Sequence, residues 1–351
     1  MISRFLRVAG LLSLAALGLS CGRDTHTSEM IVEGFPIEEV LECNEGQRLA
    51  IPSIGIMEIN IAGDLLVVST SDMSNSWHTY SLPEIEMTGS LFNVGGGPGE
   101  LMMPAPGIIA SFYSRDSDGH TMCIIPSVMN GKFIAGDLTA HRATDTVINN
   151  RIGPTTVMSY RLNDSYWFNT EIVPDSCKIR RSIVARDGKA VNNSAISVLN
   201  QTRADDISQM PLILFRPVIR PDGLLVAELP GFDPVIDVWN TETGESFRIR
   251  YPDLGNKQAN ARARMESNKP LFGGGVAFDD YFAIQRYDDA GNSHIDFFTW
   301  QGKPLASLTL ECGDIRRFAI DVNNGGLYCL DADQDVIIRF QIDDFLSRVV
   351  K

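Results

Sequence analysis

The sequence is poor in positive charge, poor in cysteine and, after its first twenty residues, without any sustained helical periodicity. Its 30 Lys and Arg stand against 44 Asp and Glu, a formal charge of −14. That balance argues against nucleic acid, or an anionic membrane surface, as a partner held by bulk charge. Six cysteines in 351 residues are too few for a disulfide framework, and their spacings match no zinc pattern. Cys312 and Cys329 fall near strands expected to be neighbours, and either pair or remain as buried thiols, the second being the simpler reading. There is no Gly-x-Ser-x-Gly elbow and no His-Glu-x-x-His. The five histidines are scattered, and His78 and His294 share a repeat position rather than a ligand set. No catalytic residue, metal or cofactor is therefore expected.

What is present begins at the N-terminus. Arg4 and Arg7 precede an apolar run, Val8 to Leu19, that is too short to span a bilayer and has the layout of a secretory signal. Ser20-Cys21 follows, similar to a bacterial lipobox, with Gly18 where a branched apolar residue is usual. The expected organisation is a signal peptide over 1–20, a lipid-anchored tether over 21–29 with Cys21 as the lipidated residue, and one domain over 30–351. Cleavage there leaves 28 basic against 44 acidic residues, a charge of −16. The implied location is the bacterial cell envelope, at the outer membrane, with the lipid as the only membrane contact.

Beyond the tether, short β-branched and aromatic runs alternate with Gly, Asp and Asn turns, the mark of an all-β chain. The runs recur. Ile54 to Asn60, the turn Ala62-Gly63-Asp64, Leu65 to Ser69, Trp77 to Leu82 and Glu86 to Phe92 make a four-stranded meander. The same order returns at Leu212–Arg250 and Gly274–Leu310, and in shortened form at Ile315–Ile342, with vaguer copies from Ala105 and Thr156. Inner strands starting near 54, 105, 156, 212, 274 and 315 predict an all-β, six-bladed β-propeller of four-stranded antiparallel blades. One such sheet cannot cover its own faces, and a ring of them can. Little chain remains after Ile342, so a segment within Met30–Glu42 is expected to supply the last outer strand and close the ring. A β-sandwich with a second domain fits the recurrence less well.

Val94-Gly95-Gly96-Gly97-Pro98-Gly99-Glu100 sits between the first and second units. Glycine permits positive φ and close backbone approach, and proline presets φ, so the stretch reads as a tight corner between an outer and an inner strand. It lacks the spacing of a phosphate loop. Downstream of a lipobox, this corner resembles the Gly-x-Gly-Pro-Gly-Glu-Phe type bend of bacterial TolB-like six-bladed propeller lipoproteins. Gly95, Gly97, Pro98, Gly99 and Glu100 match, while Leu101 replaces the aromatic. The resemblance implies a fold and an envelope location, and carries over no catalytic residue.

Candidate binding residues follow from this layout. Glu100 is either held toward the axial channel or used to cap its own corner. Glu58 and Arg161 lie on inner strands, where side chains can face the channel. Lys257, Arg262, Arg264 and Lys269 gather positive charge in the longest predicted connection, a contact for an anionic partner or a solvated insertion. Asp331-Ala332-Asp333-Gln334-Asp335 begins like a calcium loop but lacks the glycine and the position-twelve carboxylate, and reads as a hairpin. The sequence thus points to a monomeric, non-catalytic propeller whose face binds a protein or glycan. The alternative is a propeller-type hydrolase or lactonase with a carboxylate-bound divalent cation at the channel.

Overall fold

A computed structural model describes residues 28–349 except 53, 116–117, 147–151, 154, 252–256 and 332. Six antiparallel meanders follow one another along the chain. Blade 1 spans Ile56–Ala62 to Met87–Leu91, blade 2 Ser111–Ser114 to Arg142–Thr146, and blade 3 Thr156–Arg161 to Ala190–Val191. Blade 4 spans Phe215–Ile219 to Ser246–Arg250, blade 5 Phe272–Ala277 to Pro304–Glu311, and blade 6 Ile315–Asp321 to Val336–Gln341. In each the first strand is innermost, and the inner strand of blade 6 packs beside that of blade 1. The architecture is the six-bladed β-propeller expected.

The sequence pattern of the middle strands follows from packing on both faces. Leu66, Val67 and Val68 are all fully buried although consecutive side chains leave a strand on opposite sides. Leu66 and Val68 enter the apolar cluster shared with blade 6, and Val67 the one shared with blade 2. Phe297 and Phe298 divide in the same way, toward blade 6 and blade 4 respectively. Such strands read as continuous apolar runs because neither face meets water. Each of the six blade junctions has its own cluster; the one between blades 2 and 3, Ile124, Phe133, Ile152 and Trp167, is the smallest.

An N-terminal strand closes the ring, at a different place from that expected. Gln47–Leu49 pairs antiparallel with Val336–Gln341 and completes blade 6. The segment 30–42 is occupied elsewhere. Glu29–Ile31 runs parallel to the outer strand of blade 4, and Glu38–Glu42 parallel to that of blade 5, giving both sheets a fifth strand. The chain thus straps blades 4 and 5 before fastening blade 6, covering edges that would otherwise expose unpaired N–H and C=O groups. After Ile342 the chain turns into the helix Asp343–Val349, which seats Phe345, Leu346 and Val349 in the junction of blades 5 and 6.

Asp331–Asp335 is a hairpin turn. The Asp331 carboxylate accepts N–H bonds from Asp333 and Gln334, and Asp335 accepts those of Gly55 and Ile56 at 2.6 and 2.8 Å, tying blade 6 to blade 1. All five cysteines among the described residues are free, so Cys312 and Cys329 are not joined.

Candidate functional site

Antiparallel meanders place the connections between blades, and the hairpins between second and third strands, at one end of the ring. On that face a cleft of about 700 Å³ opens beside the axis. Its inner wall comes from the beginnings of three inner strands: Arg216 of blade 4, Phe272 and Gly273 of blade 5, and Arg316 and Arg317 of blade 6. Its outer wall comes from residues 263–270, at the end of the helix Lys257–Glu266 and just after it, and from the blade 5 hairpin around Asp288 and Asp289.

The charges at the inner wall do not balance. Glu58, on the inner strand of blade 1, is buried and accepts the Arg317 Nε–H at 2.7 Å. Arg317 also donates Nη1–H to the Arg316 carbonyl at 2.7 Å. Arg216 lies close enough for its charge to act on Glu58, yet its hydrogen bond goes to the Gly273 carbonyl, and among the described residues it has no carboxylate partner within salt-bridge distance. Two guanidinium groups therefore share one carboxylate in a partly buried place. Burial pushes the Glu58 carboxyl above its ordinary value, against the pull of Arg317 and then Arg216. Burial, and next the Arg317 charge, lower the affinity of Arg216 for its proton. Tyr287 stands beside them, its hydroxyl donating to the Ile315 carbonyl at 3.2 Å, with burial pushing its pKa up to about 12.

The outer wall is closer to neutral. There Arg264 donates to Asp289, and on the inner wall Arg316 is likewise taken up by Asp314 at 2.7 Å. Asp288 is taken up by Asn292 and His294. Lys269 lines the cleft without an ion-pair partner among the described residues. The net result is a cationic cleft in an acidic chain.

Of the residues singled out from sequence, Arg264 lines this cleft, and Glu58 is buried behind the inner wall, bonded to Arg317. Arg161 lines the central channel below it, its guanidinium 4.1 Å from the Tyr113 ring centre and paired with Asp164. Arg262 projects to solvent from the same helix as Arg264. The Lys257 side chain lies outside the described residues, as does Cys21. Glu100 folds back on its own corner and accepts the Gly97 N–H at 2.6 Å. That corner leans on the outer strand of blade 2, where Gly99 N–H donates to Asp145 at 2.9 Å, so the carboxylate is at the rim and not at the axis. Gly99 needs to be glycine twice over, with φ of +74° and the place of a Cβ only 2.6 Å from the Ala143 carbonyl oxygen.

Sequence reasoning missed Arg216, Arg317 and Tyr287. For the two arginines the available signal was a charged residue in the first half of an inner strand, at the end of the ring where the cleft lies; Tyr287, at the end of the second strand of blade 5, carried none. The connection carrying Arg262 and Arg264 is also slightly shorter than the one from 192 to 214, which holds the helix Ser194–Leu199.

A second concavity of about 940 Å³ lies on the opposite face, among the turns at Pro221, Phe278–Asp280 and Val322–Gly325. Its charges, Asp279, Asp280 and Asp343, sit on solvated turns and on the start of a helix. The smaller cleft is the better candidate, because there Arg216 and Arg317 are partly buried on the rigid inner strands. Among the described residues no three or more His, Cys, Asp or Glu side chains are placed to hold a metal ion.

No family model and no curated protein matches the chain. Solved structures do. Regucalcin from Agrobacterium tumefaciens, a calcium-binding protein, aligns over 87% of this chain and 95% of its own with a TM-score of 0.50 at 11% identity. A Bacteroides fragilis protein described as exported aligns over 89% of this chain and 99% of its own, with a TM-score of 0.48 and 11% identity. Likeness at such identity speaks for the fold alone, and the chain is of the six-bladed β-propeller class. Among the described residues no helix is long and apolar enough to cross a membrane.

Proposed function

We propose that this is a non-catalytic, lipid-anchored envelope propeller of the TolB-like kind, and that its axial cleft binds acidic groups of a glycan. The observation that carries the reading is that Arg216 and Arg317 line one cleft while the single carboxylate beside them, Glu58, is bonded to Arg317 alone. A partly buried cation without a counter-charge is costly, and an incoming carboxylate, sulfate or phosphate offsets that cost with charge-assisted bonds. Arginine suits the task, since its planar fork holds oxyanions in pairs. A concave cleft of about 700 Å³ suits a short stretch of sugar rings better than a flat protein surface. Arg264 and Lys269 at the outer wall extend the same preference along the ligand. The rigid ring supplies orientation, and among the described residues nothing at the cleft joins a nucleophile to a base. Anchoring through Cys21 at the outer membrane, with the propeller as a monomer, places the cleft where envelope glycans are met.

The reading of a hydrolase or lactonase built on an axial cation has no observation in its favour here, because the axial carboxylate is already engaged by a guanidinium. The test is calorimetric titration of the full chain with trigalacturonate, inorganic sulfate and neutral galactotriose as probes. The acidic probes bind and the neutral one does not. Arg216→Ala weakens the acidic probes tenfold or more, the loss of a charged hydrogen bond being about 1.5–3 kcal/mol. Binding that ignores the arginine, or that prefers an acidic peptide over every sugar, overturns the proposal.

A further inference from the structure

The strap strand Glu38–Glu42 lies parallel to the outer strand of blade 5, in register from Glu38 opposite Ser307 to Glu42 opposite Glu311. Side chains alternate between faces along both strands. Leu41 and Leu310, which stand opposite each other, both pack into the apolar cluster between blades 5 and 6. Glu42 and Glu311 both face solvent. The residue just past the end of each strand is a cysteine, Cys43 opening a short 3-10 turn and Cys312 following Glu311, and both side chains turn inward. Cys312 is buried in that same cluster, and Cys43 packs against it from a half-buried position. The two thiols lie close enough for each to act on the other's charge. Adjacent strands run about 4.8 Å apart, within the 4.4–6.8 Å that disulfide-linked Cα atoms span.

We propose that Cys43 and Cys312 are a disulfide pair, closed in an oxidising compartment, that fastens the N-terminal strap to blade 5. The strap goes on from Cys43 to Gln47–Leu49, the strand that completes blade 6. A bond at Cys43 therefore holds the ring's closing strand near its place. It also encloses almost the whole propeller in one loop, the arrangement in which a cross-link constrains the unfolded chain most. Cys329 is the competing partner. It is fully buried in the same cluster, but it stands on the second strand of blade 6, opposite Phe318 and Ile338. Neither strand register nor solvent access favours it.

The two thiols have different parts in closure. Burial, and next the neighbouring Cys43 thiol, push the Cys312 thiol up to about 12, so Cys312 stays protonated and inward. Cys43 is the one that meets the oxidant, which is the disulfide of a small thiol or of a thiol–disulfide oxidoreductase. The Cys43 thiolate attacks one sulfur of that disulfide, forming a mixed disulfide and releasing one oxidant thiolate. Cys312 then gives its proton to that thiolate and attacks the Cys43 sulfur, and the second oxidant sulfur leaves as a thiolate that takes a proton from water. Two protein thiols lose two electrons, and the oxidant disulfide becomes two thiols.

The envelope location proposed above supplies only the cellular setting, and the bond is tested apart from it. The full chain is incubated with glutathione disulfide, alkylated, digested without reduction and mapped by mass spectrometry. A peptide pair joining Cys43 to Cys312 is expected, with a rise in Tm of about 5 °C that dithiothreitol reverses. Cys43→Ser removes both effects and Cys329→Ser removes neither. A stable glutathione adduct on Cys43 beside an unmodified Cys312, a Cys312–Cys329 link, or a Tm indifferent to the bond would each overturn the proposal. A bond that forms in the tube but is absent from protein taken directly from cells would count against the envelope location instead.

Discussion

Arg317 of the last blade donates its Nε–H to the Oε2 of Glu58 on the first, at 2.7 Å, so the two ends of the ring meet at the axis through one ion pair. Arg317 also lines the proposed site, with Glu58 buried behind it. Arg317 is thus shared between closing the ring and facing a ligand, and the protonation of Glu58 sets the division.

Anion binding should depend on pH through Glu58. Burial raises its pKa above 4.5, so its contribution to stability is fully present below 4.5 and is lost as pH rises through the raised value. Neutral Glu58 also releases Arg317 to an incoming anion. Sulfate, which does not titrate in this range, should bind more tightly as pH falls through that value. Glu58→Gln should bind sulfate at the acid level at every pH. Calorimetry across the range checks this, and an unchanged pH profile in Glu58→Gln would refute the coupling.

Glu100→Ala should lower stability by about 1 kcal/mol and leave ligand binding intact. The carboxylate caps Gly97 N–H within a corner that Asp145 and Lys132 also hold. An unchanged melting temperature together with lost binding would move Glu100 into the site.

Breaking the buried pair between blades 3 and 4 should be far more damaging. Arg181 donates Nε–H and Nη2–H to Glu228 at 2.7 Å each, the Trp239 indole N–H donates to the same carboxylate, and both charged side chains are almost fully buried. Arg181→Met leaves Glu228 charged or forces it to protonate, at a cost of about 3–5 kcal/mol. Pairing it with Glu228→Met should recover much of the loss in chemical denaturation.

Cys21→Ala should release the protein from membranes into the soluble periplasmic fraction, as read by fractionation and intact mass. Wild-type protein that is already soluble and lacks acyl mass would refute the lipid anchor.

The ring was legible in the chain because its blades repeat. Double-faced burial writes short apolar runs, such as Leu65–Val68 and Phe297–Phe298, into second and third strands, and Gly, Asp and Asn turns mark the ends. The closing strand was harder to place. Gln47-Arg48-Leu49 has too few residues to show a period, and its identity as a strand comes from the free edge of blade 6. The site was legible in part. Glu58 could be assigned to an inner strand, but which partners converge on it depends on ring closure, since Arg317 is 259 positions away. The basic stretch drew attention through charge density, yet Arg264 is satisfied by Asp289, while Arg216, isolated in sequence, is the under-compensated cation of the inner wall. Local composition reports how much charge a segment carries and says nothing of what neutralises it.

The most direct measurement is a crystal of the full chain soaked in selenate, with anomalous scattering used to find the anion. Selenium bound between the Arg216 and Arg317 guanidinium groups, and absent there in Arg216→Ala, is expected. Selenium sites only on the outer surface, with the axial cleft holding water alone, would contradict the assignment of the cleft as the anion site.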